Sequence, residues 1–179
     1  MATMVAELLT RADLDNMPDD GRRYELIDGS LLVTPSPGFC HQDVTYRLAT
    51  VLDQAALGTG WHMTIGPFDV VLSANTVLIP DIIVAPRGSF TERTVQVHPS
   101  LIVEVRSPST ARFDATLKRD LYADAGVPYY WLVDPVGPSI IVLELVDGRY
   151  VERAHAVGSE PLEVDRPFPV VVTPADLLT

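Results

Sequence analysis

Short apolar runs separated by turn residues make up most of the chain, and two longer stretches place their apolar residues at helical spacing. Runs of about four to eight aliphatic residues are typical of β-strands, whereas repeats at three and four residues are typical of helices. These patterns predict strands at 22–27, 30–34, 61–65, 68–72, 77–84, 101–105, 128–133, 140–146, 149–154 and 170–172. They predict helices at 12–17, 41–57 and 111–125, with a single helical turn from Pro174. The Asp-Gly pairs at 28–29 and 147–148 predict tight turns between the strands on either side. We therefore expect one domain over 1–179 of the α/β (α+β) class, with a mixed central sheet flanked by helices.

Asp81 and Glu104 each stand in a predicted strand among aliphatic neighbours. Asp81 interrupts the run from 77 to 84, and Glu104 stands inside the run from 101 to 105. An unpaired charge in a buried strand is costly, so such a carboxylate needs a cation or faces solvent. The chain also contains a single lysine, Lys118. Two carboxylates on neighbouring strands and one ammonium group indicate a site for a divalent metal and a phosphate. The alternative is that both acids face solvent from edge strands and that Lys118 lies on a helix surface.

Composition narrows the class of protein. With 179 residues, of which 47% are hydrophobic, the chain is long enough for one domain with a buried core. No apolar stretch reaches about 18 residues, and the chain does not open with a basic segment followed by an apolar one, so we expect neither a membrane span nor a signal peptide. Cys40 is the single cysteine, which excludes an intramolecular disulfide and favours a cytoplasmic protein.

The net charge of −11 limits the partners that the protein can bind. Tight, metal-free binding of long duplexes depends on basic residues that neutralise phosphates, and an acidic chain argues against it. Basic residues nevertheless cluster near the acidic candidates, namely Arg22 and Arg23 before Glu25, and Arg106, Arg112, Lys118 and Arg119 after Glu104. Local positive charge of this kind can hold one phosphate segment, so DNA remains a candidate substrate.

Several short motifs occur in order along the chain. They are Tyr24-Glu25-Leu26-Ile27-Asp28-Gly29, His41, Pro80-Asp81-Ile82-Ile83-Val84, Val103-Glu104-Val105-Arg106-Ser107-Pro108-Ser109-Thr110, Asp114, Lys118, Tyr122, Ala125-Gly126-Val127-Pro128 and Tyr130-Trp131-Leu132-Val133-Asp134-Pro135. This ordered set resembles the Uma family of restriction-endonuclease-like proteins, which belongs to the PD-(D/E)xK nuclease superfamily. The resemblance covers about residues 20–150. It implies a restriction-endonuclease-like core whose metal site lies where strands of the sheet splay apart.

The resemblance assigns roles to three acidic residues. Asp81 and Glu104 would match the acidic pair that holds Mg²⁺, or Mn²⁺, and Glu25 would match an additional acidic ligand. The metal would lower the pKa of a bound water and neutralise the scissile phosphate. For Glu25, the alternative is an outward-facing strand carboxylate that pairs with a neighbouring arginine. His41 would point toward the same pocket, although a histidine at the start of a helix is more often a cap or a surface residue.

The superfamily lysine is displaced in this sequence. Arg106 stands two residues after Glu104, and strand alternation puts it on the same face, where its guanidinium would reach the metal-bound phosphate. Because arginine stays protonated, it cannot act as a general base. The resemblance implies that Lys118, on the following helix, supplies the ammonium group. Asp114 and Tyr122 would be its partners, unless Asp114 and Lys118 form only an i,i+4 surface pair.

An inward-facing Lys118 has consequences for the helix that carries it. Helical geometry would require Leu117 and Leu121 to pack on the sheet while Arg119 and Asp120 point outward. The substitution Lys118→Met is then expected to abolish cleavage and to leave the thermal midpoint nearly unchanged, since a lysine head group adds little to a core.

These observations predict a metal-dependent phosphodiesterase that acts on DNA as an endonuclease. The competing hypothesis is a catalytically inert protein of the same fold that binds or regulates another nuclease, and the acidic composition favours it. A homodimer is expected by analogy with nucleases that pair subunits to cut two strands. No membrane association is expected.

Overall fold

The computed structural model describes residues 8–95, 98–107 and 114–178. Its helices are α1 (Arg11–Leu14), α2 (Phe39–Ala56) and α3 (Arg119–Asp124), with a π-helical turn at Asp114–Lys118 and 3₁₀ turns at Arg87–Ser89 and Pro174–Leu177. Its strands are β1 (Arg23–Ile27), β2 (Ser30–Thr34), β3 (Trp61–Ile65), β4 (Val70–Ser73), β5 (Thr76–Leu78), β6 (Ile82–Pro86), β7 (Leu101–Val105), β8 (Tyr129–Asp134), β9 (Ser139–Val146), β10 (Arg149–Val157), β11 (Leu162–Val164) and β12 (Val170–Val172). No helix in the described part of the chain is long and apolar enough to cross a membrane.

The strands form one large sheet and two smaller ones. The large sheet has six strands in the order β10-β9-β8-β7-β6-β3, and a second sheet has the order β2-β1-β5-β4. In the large sheet β7 and β8 are parallel, whereas the other neighbouring strands are antiparallel. Strands β11 and β12 form a separate pair. The mixed sheet and the small number of helices confirm the predicted fold class.

Two hydrophobic cores cover the two faces of the large sheet. Helix α2 packs its apolar stripe against one face, together with the C-terminal strands, in a core that includes Leu48, Leu52, Val84, Val103, Trp131 and Phe168. The other core joins the second sheet and α3 to the opposite face through residues such as Leu78, Ile83, Ile102, Tyr122 and Tyr130. The odd-numbered and even-numbered positions of β7 therefore face different cores, as strand geometry requires.

The chain changes sheets at Ile79-Pro80-Asp81, and the prediction of one continuous strand over 77–84 is wrong. Strand β5 belongs to the second sheet and β6 to the large one. Pro80 has no N–H group to donate to a ladder, which explains why neither sheet extends through it. The carbonyl of Asp81 accepts a hydrogen bond from the Gly66 N–H at 2.9 Å. Asp81 consequently lies at a junction between two sheets and not in the middle of a strand.

The helix predicted at 111–125 differs from the observed one. Residues 108–113 lie outside the described part of the chain, and so do Arg112 and the Pro108-Ser109-Thr110 motif. A π-helical turn precedes α3 and fits more residues into each turn than an α-helix. This change of phase explains why Leu117 is exposed while Lys118 is buried. The expectation that Leu117 packs on the sheet is wrong, whereas Leu121 does pack against the core.

Two hairpin turns consist of the Asp-Gly pairs that predicted them. Asp28 and Gly29 join β1 to β2 with φ angles of 48° and 76°, and Asp147 and Gly148 join β9 to β10 with φ angles of 49° and 77°. Positive φ at both central residues matches the twist of the flanking strands, and glycine and aspartate tolerate it well. Both predicted turns are confirmed.

Truncation of the apolar stripe of α2 should destabilise the fold. Leu52 is fully buried, whereas Leu57, just after the same helix, is 64% exposed. We expect Leu52→Ala to lower the free energy of unfolding by about 2–5 kcal/mol, because it removes buried methyl groups and leaves a cavity. The matched control Leu57→Ala should change it by less than about 0.5 kcal/mol. Urea denaturation followed by circular dichroism measures both, and equal losses would contradict the packing described here.

Candidate active site

Strand β1 directs two charged side chains toward the junction between the sheets. Arg23 and Glu25 are two residues apart and therefore face the same side of the strand. The Arg23 guanidinium lies 3.0 Å from the carboxylate of Asp81, and the Glu25 carboxylate lies 3.0 Å from the Lys118 ammonium. Glu25 is only 2% exposed, so the alternative of an outward-facing carboxylate paired with a neighbouring arginine is wrong.

Asp81 is buried and held by three donors. Its Oδ1 accepts from Arg23, and its Oδ2 lies 3.0 Å from Nε2 of His41 and accepts from the Val105 N–H at 2.9 Å. Burial alone would raise the pKa of Asp81, but the hydrogen bond and charge of His41, the charge of Arg23 and the Val105 N–H together hold it below its usual value. Asp81 is therefore ionised at neutral pH.

A second cluster surrounds the ammonium group of Lys118. Glu25 and Glu104 each place their Oε1 atom close to Lys118 Nζ, at 3.0 and 3.1 Å. The Tyr122 hydroxyl lies 3.3 Å from Glu104 Oε1, and the Ile79 N–H donates to Glu25 Oε1 at 2.8 Å. Lys118 is buried and turned toward Glu104, as expected, with Glu25 as a second partner, and Tyr122 contacts Glu104. The cluster joins one strand of each sheet to the segment that follows β7.

The two central acids lie on neighbouring segments of the large sheet, Glu104 on β7 and Asp81 just before β6. Strands β6 and β7 are antiparallel, with Ile82 paired to Val103, so the register continued by one residue sets Asp81 opposite Glu104. The contact of Asp81 Oδ2 with the Val105 N–H shows that the two chain segments remain adjacent there. Asp81 therefore lies next to the residue that follows Glu104 on β7, although it stands outside the regular ladder.

Asp81 and His41 also line an open cleft. The cleft has a volume of about 500 Å³ and lies between the start of α2 and the residues before β1 and β6. Its charged lining consists of Asp19, Arg22, Arg23, His41 and Asp81. The Nδ1 atom of His41 is buried without a hydrogen-bond partner in the described structure. An acidic residue held by Arg23 and His41 thus borders a pocket of substrate size.

The structure does not bring Arg106 to the acidic cluster. Its side chain lies beyond the end of β7, and its Nη1 atom is 3.5 Å from Oδ2 of Asp134, at the end of β8. The Arg106 N–H donates to the Val133 carbonyl at 2.8 Å, which ties the backbone to the same strand. Side chains two positions apart share a face only within a regular strand. Because β7 ends at Val105, this rule does not place Arg106 on the face of Glu104.

Arg23 is the site residue that the sequence patterns did not single out. The sequence places it only in a basic pair before Glu25, yet it forms the ion pair with Asp81. The alternation of side chains along β1 could have identified Arg23 as a site residue, because residues two positions from Glu25 share its face.

No ready-made cluster of three or more His, Cys, Asp and Glu side chains suited to a metal occurs among the described residues. Glu25 and Glu104 are both paired to Lys118, while Asp81 is paired to Arg23 and His41. The backbone of Asp114 starts the π-helical turn, and its side chain lies outside the described part. The expected metal ligands therefore form two adjacent ion-paired groups in this structure.

Stability should depend on pH through Asp81. Because the folded-state pKa of Asp81 is depressed, its contribution is complete above the unfolded-state pKa, about 3.9, and is lost as the pH falls through the folded value. We expect the difference in unfolding free energy between the wild type and Asp81→Asn to shrink as the pH falls from 5 to 2.5. Urea denaturation in EDTA at stepped pH measures it, and a constant difference would contradict the depressed pKa.

The contacts of Lys118 overturn the expectation that Lys118→Met leaves stability unchanged. Lys118 is 3% exposed, and its removal leaves two buried glutamates without this cation. We expect a loss of about 3–5 kcal/mol in unfolding free energy, as for one partner of a buried ion pair. The control Arg119→Met removes a partly exposed cation paired to the exposed Asp120 and should cost less than about 1 kcal/mol. Similar unfolding curves for both variants would show that the Lys118 cluster adds little to the free energy of unfolding.

A search of solved structures finds the same fold in a bacterial protein. The crystal structure of a "putative nuclease belonging to DUF820" from Anabaena variabilis superposes with a TM-score of 0.75 at 18% sequence identity. The match covers 94% of this chain and 97% of the other chain. At this identity the likeness concerns the fold. No protein with curated annotation matches the chain.

A family model matches nearly the whole described length. Residues 11–177 fit the Uma2 family, which is described as "Putative restriction endonuclease". The match includes each residue of the two ion-paired groups, and it confirms the resemblance drawn from the ordered motifs. This chain belongs to the Uma2 family of restriction-endonuclease-like proteins.

Proposed function

We propose that this protein is a Mg²⁺-dependent nuclease of the PD-(D/E)xK type that hydrolyses phosphodiester bonds in DNA. The observation that supports it best is the pair of buried carboxylates on neighbouring segments of the sheet, Glu104 on β7 and Asp81 just before β6, of which Asp81 lines an open cleft. Buried acids are rare unless paired, and their concentration next to a pocket is typical of a functional site. The family description points to the same activity.

The chemistry of the acidic residues suits a hard divalent cation. Carboxylate oxygens are the ligands that Mg²⁺ and Mn²⁺ prefer, and Asp81, Glu104 and Glu25 would hold the ion. These three carboxylates face two cations, Arg23 and Lys118, so the five groups together carry one excess negative charge. When bound, the metal would act as a Lewis acid toward a phosphate and lower the pKa of a bound water.

The protein's own side chains would prepare the site in two ways. His41 and Arg23 keep Asp81 ionised at neutral pH and hold its carboxylate in one orientation. Lys118 lies between the two glutamates, so it is close enough to stabilise negative charge that develops on a phosphate next to them. Metal binding would require Glu25 and Glu104 to share their oxygens between the ion and Lys118. The compact ammonium group adapts to this exchange better than a planar guanidinium.

Arg22 and Arg23 would provide the first contact with a phosphate. Both line the cleft, and Arg22 is exposed at its edge. Guanidinium groups form paired hydrogen bonds with phosphate oxygens and remain charged at any physiological pH. Arg106, which pairs with Asp134, would instead stabilise the ends of β7 and β8.

Metal binding gives the most direct test of this function. We expect isothermal titration calorimetry to detect Mn²⁺ and Mg²⁺ binding by the wild type, and Asp81→Asn to weaken it at least about 10-fold, since a carboxylate ligand is lost. The same substitution should lower metal-dependent cleavage of a labelled oligonucleotide at least about 100-fold. Asp124→Asn is the matched control, because Asp124 is an exposed acid at the end of α3, away from the cleft.

Two results would contradict the nuclease. If the wild type binds neither metal and cleaves neither single- nor double-stranded DNA, the inert binding-partner hypothesis is favoured. If Asp81→Asn binds metal and cleaves as well as the wild type, Asp81 is not a ligand. Thermal unfolding of each variant must accompany these measurements, so that loss of activity is not confused with loss of fold.

A further inference from the structure

The outer face of α2 carries two exposed aromatic side chains. Tyr46 is 65% exposed and Phe39 is 80% exposed, and they are seven residues apart, which is about two helical turns. They lie on the same side of the helix, whose buried stripe faces the sheet. Neither ring forms an aromatic pair within the described structure. Large aromatic groups are normally buried or in contact with a partner.

Tyr46 is part of the wall of the candidate active site. It lines the cleft that contains Asp81 and His41, together with Ile65, which is also exposed. His41, which contacts Asp81, and Tyr46 both belong to α2 and are five residues apart, so one helix brings both side chains to the cleft. The mouth of the cleft therefore offers a flat apolar surface next to the position proposed for the scissile phosphate.

The charges of the cleft do not provide a track for a long phosphate backbone. Arg22 and Arg23 are offset by Asp19 and Asp81, and the whole chain has a net charge of −11. Duplex binding without base contacts depends on many phosphate neutralisations, which these residues cannot supply. Affinity for a nucleic acid must then come from another source. Stacking of a base on an aromatic ring is such a source, and it requires a base that is not paired.

We propose that the substrate is a single-stranded or unpaired stretch of nucleic acid, with one base stacked on Tyr46 and the adjacent phosphate bound by Arg22 and Arg23 in the cleft. This inference rests on the proposed nuclease function and specifies its substrate. The volume of about 500 Å³ suits one nucleotide, since pockets for small molecules span about 300–1,000 Å³. Phe39 provides a second ring for a base farther along the strand.

The main rival is that a protein partner covers Tyr46. The ring also borders a second groove, whose lining includes Val171, Val172 and Leu177 as well as Arg47 and Asp176. The arginines of the cleft favour the nucleic acid, because Arg22 and Arg23 complement a phosphate and line the same cleft as Tyr46.

Binding of a fluorescent oligonucleotide tests the proposal without requiring cleavage. The probe is a 15-nucleotide oligothymidine with one central 2-aminopurine, used as a single strand and as a blunt duplex, with full-length protein in EDTA and low salt. We expect the single strand to bind at least about 10-fold more tightly than the duplex and its 2-aminopurine emission to fall on binding. Tyr46→Ala should weaken single-strand binding by roughly 5- to 150-fold and abolish the quenching, as loss of one stacked base does.

Two variants separate stacking from a general effect on the helix. Tyr46→Phe keeps the ring and should preserve affinity and quenching, whereas Leu57→Ala removes an equally exposed side chain at the far end of α2 and should change neither. Equal affinity for the duplex, or unchanged binding and emission in Tyr46→Ala, would overturn the proposal, and so would the absence of binding to either probe. Quenched binding without cleavage in Mg²⁺ or Mn²⁺ would support the stacking site while contradicting the nuclease, so the two failures can be told apart.

Discussion

The buried contact of Lys118 with Glu25 and Glu104 is the interaction on which the site depends. It connects β1 of the second sheet, β7 of the large sheet and the segment that precedes α3. Removing such charges from water costs several kcal/mol per ion, and close pairing with further hydrogen bonds is what makes it tolerable. The Tyr122 hydroxyl and the Ile79 N–H supply two of those hydrogen bonds. The arrangement holds two carboxylates close together although they repel each other.

The junction at Ile79-Pro80-Asp81 explains how an acid comes to lie beside this contact. Because neither sheet pairs with the chain at Pro80, the backbone leaves one sheet and enters the other within three residues. The Ile79 N–H, left without a strand partner, donates to Glu25, and Asp81 accepts from the Val105 N–H of β7. Carboxylates thus take the place of backbone acceptors at the junction, which satisfies buried donors and positions both acids.

Much of this arrangement could be predicted from the sequence, and the failures have physical causes. Short strands such as β2, β3 and β7 were recognised at their observed bounds because their apolar runs end at turn residues. The acids Asp81 and Glu104 stood out because charge is unusual among aliphatic neighbours. The aliphatic run around Pro80, however, was predicted as one strand although the chain changes sheets there. Composition does not determine which strand a segment pairs with. Strand β11 is only three residues long and has too little alternation to recognise.

Side-chain direction was predictable only where regular geometry persists. The π-helical turn before α3 changes the phase of the helix, so Leu117 is exposed although α-helical spacing would bury it. Arg106 lies just beyond the end of β7, where alternation no longer applies, and it pairs with Asp134 instead. The pairing of Arg23 with Asp81 spans 58 positions of the sequence, and no local pattern encodes a contact of that range.

The burial of the single lysine has a consequence for chemical modification. Reagents that acylate or methylate amines act on the neutral, accessible group, so a lysine that is 3% exposed and paired to two carboxylates is protected in the folded state. Because no other lysine occurs in the chain, its side-chain labelling reports on one location alone. The rate of that labelling measures how often the junction between the sheets opens, by the same logic as hydrogen exchange. An ion that competes for the two glutamates would be detected as a change in that rate.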